Sequence, residues 1–422
     1  GGAITAADYP EGGEGRITQT ETIPIEGPFT PIYEIQGGLD ESPLDGELVE
    51  VAGYVTGVFP DLGGFYLQDG TGDGLVTTSD GIFVDALNGV AVGDHAEVRG
   101  TVAEFFGETR IVDVAGIEVE DTGGVIAPTP VTLPLAEGAS LEAYEGMLVT
   151  FPDYLFVSDT FNLHRCGEAV LSAGGVLVNP TDIAAPGDAA NAVADANAAR
   201  QIVIDDGSGD QFPDAVPYFA PDGTLRRGDA AKDITANLSF SFGAFKLQPT
   251  EDVSFERMNP RPDGPDDVGG NLTVASFNVL NFFSTIDDGD NGARGADSEA
   301  EKAAQLDKLV AAITGLDADI IGLQEIENNG PVAIGELIDA LNAAEGAGTW
   351  SAAADPDYPG GLEATNAIKV GIIFKTAMVT PVGTTEVSED PSFATDRPAI
   401  AHSFVAYGDT FTVINNHFKS KS

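Results

Sequence analysis

Two stretches of this chain repeat one pattern of β-strand punctuation, and that repetition limits the fold more than any other feature. Asp69-Gly-Thr-Gly-Asp73 follows one strand-like run, and Asp206-Gly-Ser-Gly-Asp210 follows Gln201-Ile-Val-Ile204. Gly93-Asp94 precedes Phe106-Gly107 at nearly the interval that separates Gly228-Asp229 from Phe242-Gly243. Short apolar runs lie between these marks: Val49, Val51, Tyr54 and Val58, then Gly64 to Gln68, Gly81 to Val84, Ala96 to Val102 and Thr109 to Val112. Short strands broken by turn residues at close spacing are what a small barrel or sandwich requires. The pattern predicts a duplicated β-barrel module over 41–122 and 131–257. Residues 1–40, rich in Gly, Pro and Thr, read as an arm. The second copy carries an insertion over 180–199, and its Ala-rich tail (Asp188 to Arg200) has the composition of a short helix.

After a Pro-rich linker over 258–270, a different grammar occupies 271–422. Leu272 to Val279 is an apolar strand, and Ser298-Glu-Ala-Glu301 is a capping box opening a helix. Leu306, Leu309, Val310 and Ile313 form that helix's apolar face, with Gly315 as its expected stop. A strand over 319–324 follows, then a helix starting at Pro331 with Ile334, Leu337, Ile338 and Leu341 at helical spacing. Strands are expected at Ile368 to Phe374, Ala399 to Tyr407 and Thr410 to Asn416, the last two joined by a Gly408-Asp409 turn. This is an α/β domain with a mixed sheet.

Within it, Asn278 closes one buried strand and Glu325 closes the next, with a helical crossover between them. Open sheets gather ligands at the carboxyl ends of their strands, so both side chains are expected in one crevice. A carboxylate beside an amide suits a hydrated Mg²⁺ (or Mn²⁺) and a phosphate oxygen. Ile414-Asn-Asn-His417 ends a third strand in a histidine. The set Asn278, Glu325 and His417 points to metal-assisted phosphodiester hydrolysis. His402, inside a strand, reads as structural, and His95, after Gly93-Asp94, as an exposed turn residue.

Charge bears on the partner. The formal net charge is −49, from 68 Asp and Glu against 19 Lys and Arg. Such a surface repels nucleic acid at low salt. Extreme acidity also serves solubility in saline or divalent-rich media, and metals held by carboxylates lower the effective charge. One cysteine, Cys166, excludes an intrachain disulfide, and with His164 it supplies too few ligands for zinc. No run reaches the roughly eighteen apolar residues of a membrane span. An opening Gly1-Gly-Ala and a Lys-poor, acidic composition predict a processed protein, secreted or at the cell surface.

Five blocks carry a resemblance: Ser276-Phe-Asn-Val-Leu-Asn-Phe-Phe283, Leu323-Gln-Glu-Ile-Glu-Asn328, Ile368-Lys-Val-Gly-Ile-Ile-Phe374, Asp396-Arg-Pro398 and Asn416-His-Phe-Lys419. Their order and spacing resemble the secreted bacterial nucleases of the endonuclease/exonuclease/phosphatase superfamily. Leu67-Gln-Asp69 and Ser79 to Val84 resemble that family's OB-like module, and Leu141 to Met147 and Phe242 to Pro249 its second β region. The resemblance implies two OB-like barrels followed by the first half of a four-layer α/β/β/α sandwich. It implies Glu325 as the principal Mg²⁺ ligand, Asn278 orienting the metal or a phosphate oxygen, His417 as a proton or hydrogen-bond donor, and Arg397 at the site's edge. The substrate would be extracellular DNA, and RNA as a second substrate. The family completes its site with an Asp-x-Asn strand end and a terminal Asp-His pair that have no counterpart before Ser422. A longer parent is therefore expected, with the 422 residues alone inactive.

The Asp-rich turns leave two readings open. Asp69 and Asp73, Asp206 and Asp210, and Asp287 and Asp290 are potential Ca²⁺ ligands, although none has the full EF-hand pattern. They are equally ordinary turns between strands. The first reading leads to a rival function, an acidic calcium-bridged surface or matrix protein that self-associates. Phe65, Tyr66, Phe105 and Phe106 are the aromatics that a single-strand-binding barrel would use, in a chain poor in Lys and Arg.

Overall fold

The computed structural model describes Ile25 and residues 27–418, apart from Asn88, Asp214, 220–222, 357–365 and 394–396. Most of the 1–40 arm, Asp396 and Lys419 thus lie outside the described residues. The chain divides into two compact units, Gly1–Pro260 and Arg261–Ser422. No described helix is long and apolar enough to cross a membrane.

In the first unit a short helix α1 (Ile32–Gln36) precedes five strands: β1 (Leu48–Phe59), β2 (Gly64–Gln68), β3 (Gly81–Val84), β4 (His95–Phe105) and β5 (Glu108–Asp121). They close into a barrel in the order β1-β2-β3-β5-β4, with β3 and β5 parallel and the other neighbours antiparallel. Alternate residues of β1 and β4 point inward, so Val51, Val55, Ala96, Val98 and Val102 build one core with Phe65, Leu67, Ile82 and Ile111. Residues expected to be arm belong to this core: Ile32 and Ile35 of α1 are fully buried in it, and Gln36 donates to Gly81 O. Two apolar side chains one helical turn apart suffice to dock a five-residue helix.

The second module contains β6 (Thr129–Pro130), β7 (Leu148–Phe151), β8 (Leu155–Asp159), α2 (Leu163–Cys166), β9 (Ala169–Ala173), α3 (Pro180–Ile183), α4 (Asp188–Ala198), β10 (Gln201–Ile204), β11 (Ala230–Ala231), β12 (Ile234–Ser241) and β13 (Ala244–Pro249). A second closed barrel was the expectation. The strands instead form an eight-stranded sheet, β11-β8-β9-β10-β13-β12-β7-β6. β7 and β8, each next to one of its edge strands, are halves of one stretch interrupted at Pro152-Asp-Tyr154, where proline supplies no N–H to a ladder. With those halves joined, the order is that of the first module, down to the parallel pair β10 and β13. The duplication extends to single hydrogen bonds. Val55 exchanges backbone bonds with Asp94 and Gly93 as Val157 does with Asp229 and Gly228. The Asp94 carboxylate accepts from Ala91 N–H at 2.8 Å, and that of Asp229 from Arg226 N–H at 3.0 Å.

The modules meet through close backbone contact. A Cβ on Gly81 would lie 2.3 Å from the carbonyl carbon of Gly146, so only glycine permits that approach. Gln68 Oε1 accepts from Leu148 N–H, Asn237 Nδ2 donates to Thr56 Oγ1, and Thr109 N–H donates to Glu145 Oε1 at 2.9 Å.

The second unit carries β14 (Val274–Phe282), α5 (Glu299–Leu316), β15 (Ile320–Glu327), α6 (Val332–Glu345), β16 (Trp350–Ala352), β17 (Ile368–Lys375), β18 (Thr380–Val387), β19 (Ile400–Ala406) and β20 (Asp409–Asn415). Parallel β14 and β15 continue into antiparallel β17 and β16, and β18-β19-β20 form a separate antiparallel sheet. Leu309, Ile313, Leu337 and Leu341 of the two helices pack on one face of the larger sheet with Ile321, Leu323 and Ile373. Its other face, Ile320, Val370, Ile372 and Phe374, packs on Ile400 and Phe404 of the smaller sheet. Among the described residues this makes three layers, helices on sheet on sheet, where the four-layer sandwich would add a second helical layer. The Ser298 cap forms as expected, accepting from Glu301 N–H at 3.3 Å. The stop does not fall at Gly315: α5 continues to Leu316 and Asp317 takes the left-handed position (φ 48°), a conformation Asp tolerates.

Candidate active site

The site stands where β14 and β15 both lose their register. Parallel pairing runs regularly from Val274 opposite Ile320 to Asn278 opposite Gln324, then slips between Asn278 and Phe282. On the other edge, β15 slips against β17 between Leu323 and Ile326. Leu280 (φ 54°), Asn281 (φ 51°) and Glu325 (φ 66°) all adopt left-handed backbone, which Asn tolerates but Leu and Glu take only at a cost. Paired bulges re-aim side chains, and here they bring Glu325 across to Asn278.

Asn278 Nδ2 donates to Glu325 Oε1 at 2.8 Å, and Asn281 N–H donates to Oε2 at 3.1 Å. His417 Nε2 lies 3.5 Å from Oε1, and both side chains are 18% exposed. Three residues separated by 139 positions of sequence therefore converge on one carboxylate that solvent still reaches. Asn278 Oδ1 is occupied by Leu280 N–H at 2.8 Å. Its amide nitrogen, not its oxygen, faces Glu325. His417 Nδ1 and Arg397 Nε are buried without a hydrogen-bond partner. Burial, with the nearby Arg397 charge, pushes His417 below its ordinary pKa, against the pull of Glu325. The neutral imidazole is the favoured form, able to donate one hydrogen bond.

Sequence reasoning missed the groups that hold this arrangement. Asn415, two residues before His417 and 5% exposed, inserts between the two sheets. Its Nδ2 donates to Leu323 O and Gly371 O at 2.8 Å each, and its Oδ1 accepts from Gln324 Nε2 at 2.6 Å. Gln324 precedes Glu325, so one buried amide pair ties the His417 segment to the Glu325 strand. Gly322 makes room for it: a Cβ there would lie 2.9 Å from Asn415 Cγ. Glu327 Oε2 gathers Ser284 N–H and Oγ–H, Thr285 N–H and Asn329 Nδ2, pinning the loop after β14. An Asn at the end of an apolar strand was the available signal, since a buried amide needs partners.

A single carboxylate with an open face fits Mg²⁺, which keeps several waters and binds proteins through one or two carboxylates. Glu325 would hold the ion, which supplies Lewis-acid polarisation of a phosphoryl oxygen and an activated water when bound.

The calcium candidates are placed differently. Asp69, Asp73, Asp206 and Asp287 each accept a backbone N–H from their own turn. The Asp210 and Asp290 amides are themselves donors, to Ser208 Oγ and Asp288 Oδ1. Among the described residues, none of the six belongs to a three-group ligand cluster. The cluster found among the described residues is Glu97, Glu118 and Glu120, brought together by the β4–β5 register and not flagged by any turn motif. His402 is buried and bonds Thr385 Oγ1 through Nδ1, as a structural histidine should. His95 is only part-exposed, its ring edge-on to Tyr54 at 4.9 Å.

No family model and no curated protein matches the chain. Similar solved structures include a humanized D. rerio TDP2 with 14 mutations, 14% identical, covering 36% of this chain and 48% of that chain at a TM-score of 0.24. D. rerio TDP2 complexed with single strand DNA product is 16% identical, covering 36% and 47% at a TM-score of 0.22. The hypothetical protein ygiW from E. coli is 26% identical, covering 18% and 77% at 0.14. The chain spans about half the length of the TDP2 structures it matches. Similarity at these scores is weak and carries no functional argument, which leaves the chemistry to the site itself.

Proposed function

We propose that the Arg261–Ser422 unit belongs to a secreted, divalent-metal-dependent phosphodiesterase acting on extracellular DNA and RNA. The observation that carries the reading is the convergence of Asn278, Glu325 and His417 on the bulged ends of two parallel strands. In this reading Glu325 holds Mg²⁺ or Mn²⁺ and Asn278 with Asn281 N–H fixes its carboxylate. His417 donates a hydrogen bond to a non-bridging phosphate oxygen, and Arg397 places positive charge at the edge. The five-strand closure of the first module, and its recurrence with a broken first strand in the second, support OB-like modules in front of the hydrolase.

Two measurements test this. Manganese titration followed by electron paramagnetic resonance should give one tight equivalent fewer for Glu325→Gln than for the wild-type chain. Unchanged stoichiometry would remove Glu325 as the ligand. In the complete natural protein, the same substitution should lower Mg²⁺-dependent plasmid nicking more than about 100-fold, since even outer-shell partners of a metal are worth 10- to 100-fold.

A further inference from the structure

Where β14 bulges, Val279, Leu280 and Asn281 stand against Glu325 alone, since pairing resumes only with Phe282 opposite Ile326. Leu280 and Asn281 are both left-handed, a conformation that costs Leu more than Asn. The Leu280 side chain is 75% exposed, so packing does little to hold its backbone there. Hydrogen bonds must do so, and the two peptides at the centre of the bulge show where they come from.

One of these peptides carries Val279 O and Leu280 N–H, the other Leu280 O and Asn281 N–H. Their N–H ends serve the site: Leu280 donates to Asn278 Oδ1 at 2.8 Å, and Asn281 donates to Glu325 Oε2 at 3.1 Å. Both carbonyl ends accept from one side chain of α5. Gln305 Nε2 lies 3.2 Å from Val279 O and 2.8 Å from Leu280 O. A trans peptide is planar, with its C=O and N–H pointing in opposite directions. A donor fixed on the carbonyl side therefore fixes the direction in which each N–H is offered.

The helix is a firm support for that donor. Leu309, one turn after Gln305 on the same face, is buried in the core under the sheet. Lys302, one turn before it, donates to Ser284 O at 3.3 Å and lies 3.3 Å from the Glu336 carboxylate of α6. Gln305 thus reaches the bulge from a helix anchored on either side of it.

We propose that Gln305 is a positioning residue of the Glu325 site. It sets the two β14 peptides whose N–H groups orient that carboxylate, one directly and one through Asn278. The inference rests on the hydrolytic reading of Glu325 and gives α5 a part in the reaction without contact to substrate.

Gln305→Met keeps the length and helix propensity of the side chain and removes its donors. Hydrogen–deuterium exchange of the metal-free chain should then be about tenfold faster over 278–282, the scale of one lost hydrogen bond, and unchanged over 306–316. In the complete natural protein, kcat for Mg²⁺-dependent plasmid nicking should fall about tenfold with KM little changed. Leu280→Asn, which eases the left-handed backbone, should restore most of that loss in the Gln305→Met background. Unchanged exchange over 278–282 overturns the proposal, as does an intact kcat, or a loss that Leu280→Asn makes no better. Glu325→Gln in the same assay keeps the two failures apart. Nicking that survives Glu325→Gln removes the hydrolytic reading and this inference with it. Nicking that Glu325→Gln abolishes and Gln305→Met leaves intact removes the inference alone.

Discussion

Glu325 and Glu145 are both carboxylates at the meeting of β-elements, yet the fold treats them in opposite ways. Glu325 receives an amide N–H from Asn278 and a backbone N–H from Asn281, and 18% of its side chain meets solvent. Glu145 is 1% exposed, and its carboxylate accepts one hydrogen bond, from Thr109 N–H, and leaves Oε2 without a partner. Its surroundings add Glu108, Glu142 and Glu104, with Arg110 committed to Glu108. Burial, reinforced by those carboxylates, pushes Glu145 up to about 9. One environment gives a charged group donors and access to a ligand. The other favours a neutral group that seals a junction. Burial alone would have ranked Glu145 as the more unusual carboxylate; the supply of donors and the access to solvent set Glu325 apart.

The largest effects should separate the two directly. Glu325→Gln should remove the metal-dependent activity, while Glu145→Gln leaves metal stoichiometry and plasmid nicking unchanged. Loss of metal binding in Glu145→Gln would erase the distinction. Next comes the buried amide behind Glu325. Asn415→Ala leaves Leu323 O, Gly371 O and the Gln324 amide short of a partner, at about 1–3 kcal/mol per unsatisfied buried group. The Arg261–Ser422 unit should melt earlier, and kcat should fall about 10- to 100-fold with KM little changed, as for other groups that orient a metal ligand. Gly322→Ala, which crowds Asn415 from the other side, should lower kcat in the same way. If both variants are destabilised with kcat intact, Asn415 holds only the sheets and not the site.

The sequence disclosed most of the strands, and it named three residues that the fold brings together, because both rest on local signals. Alternating apolar residues announce a strand, and Asn278, Glu325 and His417 stand at strand ends. What it hid depends on pairing between distant segments. The break at Pro152 looks like one more turn until β7 and β8 are seen next to opposite edge strands of a single sheet. The insertion of Asn415 depends on Gly322, 93 positions earlier, having no Cβ. β16, three residues long, carries too few alternating positions to stand out, and β18 (Thr380–Val387) is mostly exposed and so shows no apolar alternation. Ile32 and Ile35 were hidden in an apparent arm because one helical turn has no periodicity to detect. Repetition, by contrast, was legible to the level of the Asp94 and Asp229 carboxylates, since a turn that closes on its own backbone is written in adjacent residues.

The smallest effect concerns stability and its dependence on pH. Glu145 has a folded-state value of about 9 against its ordinary 4.5. A carboxyl raised on folding contributes stability that is fully present below its unfolded value and is lost as pH rises towards the folded one. The junction of the two β modules should therefore weaken progressively between about pH 4.5 and 9. Glutamine keeps the shape and the acceptor for Thr109 N–H but carries no proton to lose. Glu145→Gln should match the wild type near pH 4.5 and exceed its melting temperature at pH 9 by more than about 3 °C, the shift expected from roughly 1 kcal/mol in a domain of this size. Whole-chain repulsion also changes over this range, but it is common to both proteins at pH 9 and cancels in their difference. A gap that stays constant from pH 5 to 9 would mean that Glu145 is already ionised in the folded protein. The sealed junction would then resemble the open site more than its geometry allows.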